Sequence, residues 1–190
     1  MVSVEAAKFL VKEAIRPLSS ERIPVKDSLG RALSKDIVSP LNLPQFDNSA
    51  MDGYAIIQGD SKRLKVVGEI KAGESHLTQI KVGEAVRIFT GAEVPKTATA
   101  VVMQEQTSRD GEFVLIETDQ VKKGQNIRTA GSQIQKGETA LNAGKELTPA
   151  GVSFLAMLGL EKVDVFKKPK VEVVVTLSLI HISEPTRPED

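Results

Sequence analysis

Residues 43–55, Leu43-Pro44-Gln45-Phe46-Asp47-Asn48-Ser49-Ala50-Met51-Asp52-Gly53-Tyr54-Ala55, concentrate more polar side chains than a structural turn needs. Pro44 fixes its own backbone and pushes Leu43 into an extended conformation. Asp47, Asn48 and Ser49 offer side chains that bond back to nearby amides, so the stretch reads as a tight, non-repetitive loop. Gly53 then allows a left-handed or closely packed backbone just before the apolar run Tyr54-Ala55-Ile56-Ile57. An Asx-type turn leading into a strand accounts for these residues structurally. Any chemistry beyond a turn rests on Asp47, Asn48, Ser49, Asp52 and Gly53.

Downstream of this loop, short apolar runs alternate with turn residues about every ten positions, the pattern of a small antiparallel β domain. The expected strands are 54–57, 65–70, 85–89, 100–104 and 113–117, with weaker edge pieces at 121–127 and 139–141. Asp110-Gly111 marks a hairpin, for which the glycine suits a type I′ turn. Upstream, Val4, Ala7, Leu10, Val11, Ala14 and Ile15 recur at helical spacing after Ser3 as N-cap, and Pro17 stops the helix. Asp27 is placed to cap a short helical turn. A second helix is punctuated by Thr148 as N-cap, Pro149 at its first position and Gly159 at its end, with Val152, Leu155, Ala156 and Leu158 on one face. Two apolar stripes without other partners predict that 4–15 packs against 148–158. The fold class expected is therefore α+β: a small discontinuous helical and extended domain formed by both chain ends, with an antiparallel β-rich domain inserted. The boundaries read as 1–43, 44–141 and 142–169. Residues 170–176, rich in β-branched side chains, read as the first buried strand of a further α/β domain that is expected to be missing from this sequence.

Composition narrows the function classes. At 190 residues the chain holds one ordinary domain or two small ones. Hydrophobic residues at 41% and charged residues at 26% describe a water-soluble globular protein, and neither a secretory leader nor an apolar run of bilayer length is present, so a cytoplasmic home without membrane association is expected. The absence of cysteine excludes disulfides and thiolate metal sites, and the two histidines, His76 and His181, stand too far apart to make a zinc site. Any metal must be bound by oxygen. A formal charge of zero, one tyrosine and no tryptophan argue against a nucleic-acid partner.

Further clusters carry polar groups suited to a ligand. Thr90-Gly91-Ala92 puts a hydroxyl and open backbone amides at a strand end, a geometry suited to an anion or to an ordinary glycine turn. If residues 102–106 are extended, Gln104 and Gln106 share one face and Glu105 takes the other. Arg128 brings a guanidinium able to grip a phosphate or to form a surface salt bridge.

The string FDNSAMDGYA at 46–55 closely resembles the signature of the molybdopterin molybdenumtransferases, the MoeA and gephyrin E-domain family. PVKDSLGRALSKDIVSP at 24–40 precedes it at the family distance, and TGAEVP at 90–95, AVVMQE at 100–105 and GQNIR at 124–128 follow in order, so the resemblance runs from Val2 to Thr176. It implies an enzyme that inserts molybdenum from molybdate into adenylylated molybdopterin, with Mg2+ as cofactor and release of AMP. It also implies a homodimer, in which the β domain of a second subunit closes a pterin pocket built largely on the α/β domain. Carried onto this sequence, Asp52 becomes an oxygen ligand or polariser near Mg2+ and Thr90 an anion or water contact. Asp47, Asn48, Ser49, Gly91, Glu105 and Arg128 become substrate contacts. Gln133 stands where the family usually has Asp, so no catalytic role passes to it. The other class of function is a protein-interaction scaffold of the gephyrin type, since family membership alone does not fix function. Past Thr176 the resemblance stops: LSLIHISEPTR at 177–187 looks like the translation of a sequencing-library adapter, and residues 177–190 are expected to be non-native and the fragment inactive by itself.

Overall fold

The computed structural model describes residues 2–74 and 79–173. His76, His181, residues 174–176 of the expected last strand and the whole 177–190 tail lie outside them. Helix α1 spans Val4–Ala14; strands β1 (Ser20–Pro24), β2 (Ile37–Val38) and β3 (Asn48–Ser49) follow, then β4 (Gly53–Ile56), β5 (Arg63–Ile70), β6 (Glu84–Ile88) and β7 (Ala100–Met103). After these come β8 (Thr107–Asp110), β9 (Phe113–Ile116), β10 (Ile127–Arg128), β11 (Thr139–Leu141), helix α2 (Pro149–Met157) and β12 (Lys162–Phe166). Val171–Val173 carry no strand, contrary to the sequence expectation, and Val171 and Val173 are exposed.

Six strands form one sheet in the order β7-β4-β6-β5-β9-β8. The two edge strands, β7 and β8, are joined directly by a 3-10 turn at Gln104–Gln106, so the sheet has to curl back on itself. That turn also corrects the extended reading of 104–106. Strand alternation gives the sheet two apolar faces. Tyr54, Ile56, Leu64, Val102, Val114 and Ile116 make one cluster, which joins strands near both edges and so lies on the concave side. Ala55, Ile70, Val86, Ile88 and Val101 make the other, covered by Ile80, Ala92 and Val94. The sheet is mixed where the sequence suggested an antiparallel one: β5 and β6 run parallel, with a register shift between Val66 and Glu69. The β8–β9 hairpin turns at Gly111-Glu112, and only Gly111 has positive φ, 58°. This is the type II′ pattern, so the type I′ expectation is corrected.

The remaining elements gather near the two ends of the described chain. Strand β1 pairs antiparallel with β12, from Ser20 opposite Phe166 to Pro24 opposite Lys162. Buried Arg31 donates to the Glu21 carboxylate and, at 2.6 Å, to the Phe166 carbonyl, tying both strands to the following loop. Helix α2 forms where its caps predict: Thr148 Oγ1 accepts from the Gly151 amide at 3.2 Å, Pro149 occupies the first turn, and Gly159 has φ 72° beyond the C-cap. Its Leu155 packs with Val25, Leu33, Leu147, Val163 and Val165, and Leu158 packs with Leu43 and Ile134.

Helix α1 does not join this core. Ser3 caps it as expected, Oγ accepting from the Ala6 amide at 3.2 Å, but no residue of α1 is buried and Phe9, Leu10 and Val11 are about 60% exposed. The predicted pairing of 4–15 with 148–158 is therefore overturned: the β1–β12 pair already covers the apolar side of α2. Asp27 is also not a cap. It lies inside the 3-10 turn Val25–Asp27, whose N-cap is Pro24 without a side-chain bond. Residues 139–141, grouped by sequence with the β-rich insert, pair with β2 through Leu141 opposite Ile37 and Thr139 opposite Val38, and Leu141 packs with the Leu155 cluster.

Candidate functional site

The 43–55 loop is fastened from two directions. On one side, Ser49 donates its amide to Ala92 O at 3.0 Å and accepts the Gly91 amide at 2.9 Å, while Asp47 O accepts the Val94 amide. On the other, β3 pairs with β10, Ser49 opposite Ile127 and Asn48 opposite Arg128. Asp47 Oδ1 accepts the Ala130 amide at 2.8 Å, and the Ala50 amide donates to Asn126 O at 2.9 Å. Asn126 holds that position with φ 55°, and its Nδ2 donates to Val101 O. Buried Ser49 closes the local turn through its hydroxyl to Met51 O. The local Asx turn read from the sequence is not formed among the described residues: the Asp47 carboxylate accepts from Ala130 far along the chain, Asn48 Oδ1 is buried without a hydrogen-bond partner, and only Ser49 bonds two residues away.

This fastening presents Asp52 at the entry to β4. Its Oδ1 accepts both the Thr90 amide and the Thr90 hydroxyl at 2.8 Å, and its carbonyl accepts the Gln104 amide at 3.0 Å. The Thr90 amide, then the Thr90 hydroxyl, and more weakly the Arg87 charge hold the Asp52 carboxyl below its ordinary range, against a small opposing effect of desolvation. Asp52 is therefore an anchored carboxylate, ionised at neutral pH, with Oδ2 free of protein hydrogen bonds among the described residues. Gly53 is indispensable to this placement. A Cβ there would lie 1.9 Å from Val102 O and 2.8 Å from Val102 C, because β4 runs tightly against β7. Gly53 is needed for close approach rather than for left-handed backbone.

Of the residues singled out in the sequence, Asp47, Asn48, Ser49, Asp52, Thr90, Gly91 and Arg128 are brought together by these bonds. Glu105 follows directly on Gln104 and accepts from the Gln104 side chain at 3.2 Å. Two expectations change. The amides of Thr90, Gly91 and Ala92 are all taken, by Asp52, Ser49 O and Phe89 O, so this glycine turn offers no open amide to an anion. Arg128 is exposed and makes no ion pair among the described residues, so the surface salt bridge is not formed. The residue that sequence reading missed is Arg87. It lies opposite Tyr54 across β4–β6, stacks 5.1 Å from the Tyr54 ring centroid and 5.2 Å from that of Phe89, and donates to Gln104 Oε1. The alternation Arg87, Phe89 at a strand end was the available signal, but only the pairing register places it beside Asp52.

Among the described residues no group of three His, Cys, Asp or Glu side chains gathers to hold a metal ion, and no helix is long and apolar enough to cross a membrane. A cavity of about 640 Å³ opens beyond Ile56 at the far end of β4 from Asp52, between segments 56–62 and 116–123.

The family model for the MoeA N-terminal region (domain I and II) matches residues 2–159. This chain belongs to the MoeA family. The molybdopterin molybdenumtransferase of Haemophilus influenzae is 35% identical to it over 190 residues, covering 97% of this chain and 47% of that protein. Molybdopterin molybdenumtransferase 2 of Mycobacterium tuberculosis is 36% identical, covering 93% and 45%. The fold is similar to the crystal structure of the molybdopterin biosynthesis moeA protein from Pyrococcus horikoshii OT3, with a TM-score of 0.78 and 36% identity over 85% of this chain and 44% of that one. This MoeA-family chain thus spans about half the length of the curated relatives it matches. Its matched residues include the whole Asp52 site.

Proposed function

We propose that this chain supplies the Asp52–Thr90 element of a molybdopterin molybdenumtransferase, a cytoplasmic homodimer that inserts molybdenum from molybdate into adenylylated molybdopterin and releases AMP. The observation that carries the reading is a carboxylate held ionised by two Thr90 donors with one oxygen left over, in a MoeA-family loop clamped between two distant segments. Mg2+ suits a hard oxygen donor, and a protein commonly contributes only one or two carboxylates to it while substrate phosphates supply the rest. Asp52 fits that role as a single ligand through Oδ2. When bound, the ion would neutralise charge on the adenylate phosphate.

The protein's own residues do the positioning. Thr90 keeps Asp52 deprotonated and fixes its rotamer; Ser49, Asp47 and Gly91 hold the loop against segments 90–94 and 126–130, and Asn48, Glu105 and Arg128 are left as the proposed substrate contacts. The test is molybdate-dependent cofactor synthesis by the full-length gene product and its Asp52→Ala variant. Product from the wild type and its loss in the variant, with the fold retained, support the reading. The gephyrin-type scaffold alternative predicts no product from either.

A further inference from the structure

A second polar feature lies beside the bulge in β5. The parallel ladder with β6 pairs Val66 with Ala85 and next Glu69 with Arg87, while the ladder with β9 ends at Lys65, so Val67 and Gly68 have no strand partner on either side. Strand backbone left out of its ladders keeps polar groups available to something else. A cavity of about 380 Å³ opens there, lined by Val66, Val67, Gly68, Glu69, Arg87 and Arg109. Neither guanidinium in it has a carboxylate within ion-pair distance among the described residues. Arg87 is half-buried between two rings with only the neutral Gln104 amide as hydrogen-bond acceptor, and Arg109 uses Nε on Gly111 O at 2.9 Å. Each guanidinium carries five donors, so most remain unused. The one carboxylate of the cavity, Glu69, lies 3.3 Å from Lys71 and is offset by it.

We infer that this cavity binds a phosphoryl-type oxyanion, gripped by Arg87 and Arg109 as the two cationic arms. Paired guanidiniums match the tetrahedral oxyanion geometry through bidentate bonds, and the rings that hold Arg87 lower its entropy cost on binding. The cavity shares Arg87 with the surroundings of Asp52 but is lined by β5 and Arg109 rather than by the Asp52 loop, and its test does not depend on molybdenum transfer. The experiment is calorimetric titration of the full chain, at low salt, with inorganic phosphate and with glycerol 3-phosphate. Saturable binding is expected, weakening as salt is raised and falling by about tenfold or more in Arg87→Gln and in Arg109→Gln. Arg87→Lys keeps the charge without the fork and should fall between wild type and Arg87→Gln. Binding of both ligands identifies a phosphoryl ester as acceptable, and binding of inorganic phosphate alone identifies the free ion. Absence of saturable binding of either ligand, or binding unchanged in both glutamine variants, overturns the assignment. Should circular dichroism show that Arg87→Gln does not fold, exposed Arg109→Gln decides alone.

Discussion

Asp52 and Gly53 are neighbours with opposite tolerances. The Asp52 carboxylate accepts hydrogen bonds only from Thr90 among the described residues, so Asp52→Ala should leave the unfolding transition nearly in place while abolishing cofactor synthesis by the full-length enzyme; unchanged synthesis removes it from the site. Gly53→Ala should cost at least about 3 kcal/mol, because the new methyl meets strand backbone that cannot swing aside, and a denaturant titration reads it directly. The Asp52 carboxyl is depressed below the usual 3.8 in the folded state. Its contribution to stability is therefore fully present above that ordinary value and is lost as pH falls through the lower, folded one. In Thr90→Val the hydroxyl donor is gone but the amide remains, so a carbon-detected NMR titration should show the Asp52 pKa moving partway back up.

Helices α1 and α2 show how the same kind of apolar stripe meets different fates. Leu155 in α2 is 0% exposed within a cluster drawn from both halves of the β1–β12 pair, so Leu155→Ala should cost about 2–5 kcal/mol. Leu10 in α1 is 59% exposed, and Leu10→Ala in this chain should change stability by less than about 0.5 kcal/mol. Chemical denaturation of the two variants side by side measures the contrast. Equal losses would mean that α1 packs in solution. Among the turns, the β8–β9 hairpin depends on Gly111 adopting φ 58° at the first central position of its type II′ turn, which costs an L side chain at least about 1–2 kcal/mol.

On the scale of the whole molecule, the six-stranded sheet and the β1–β12 assembly carry the buried clusters and α1 carries none. Removing Met1 to Pro17 should accordingly leave the denaturation midpoint of the remainder unchanged, since the cut falls before Ser19, whose carbonyl accepts the Lys167 amide. A lowered midpoint would show that the helix contributes to the fold. The sequence by itself determined what is local. Ser3, Thr148, Pro149 and Gly159 mark helix ends because capping and left-handed backbone are chemistry within a few residues, and five of the six sheet strands, all but β8, follow from short apolar runs punctuated by turn residues. The family motif likewise named Asp52 and Thr90, though not the bonds between them. Only the tertiary structure decided what covers each apolar stripe, which way β5 runs beside β6, and that Arg87 stands by Asp52. These depend on pairing between segments tens of residues apart, where register, not local propensity, chooses the neighbour.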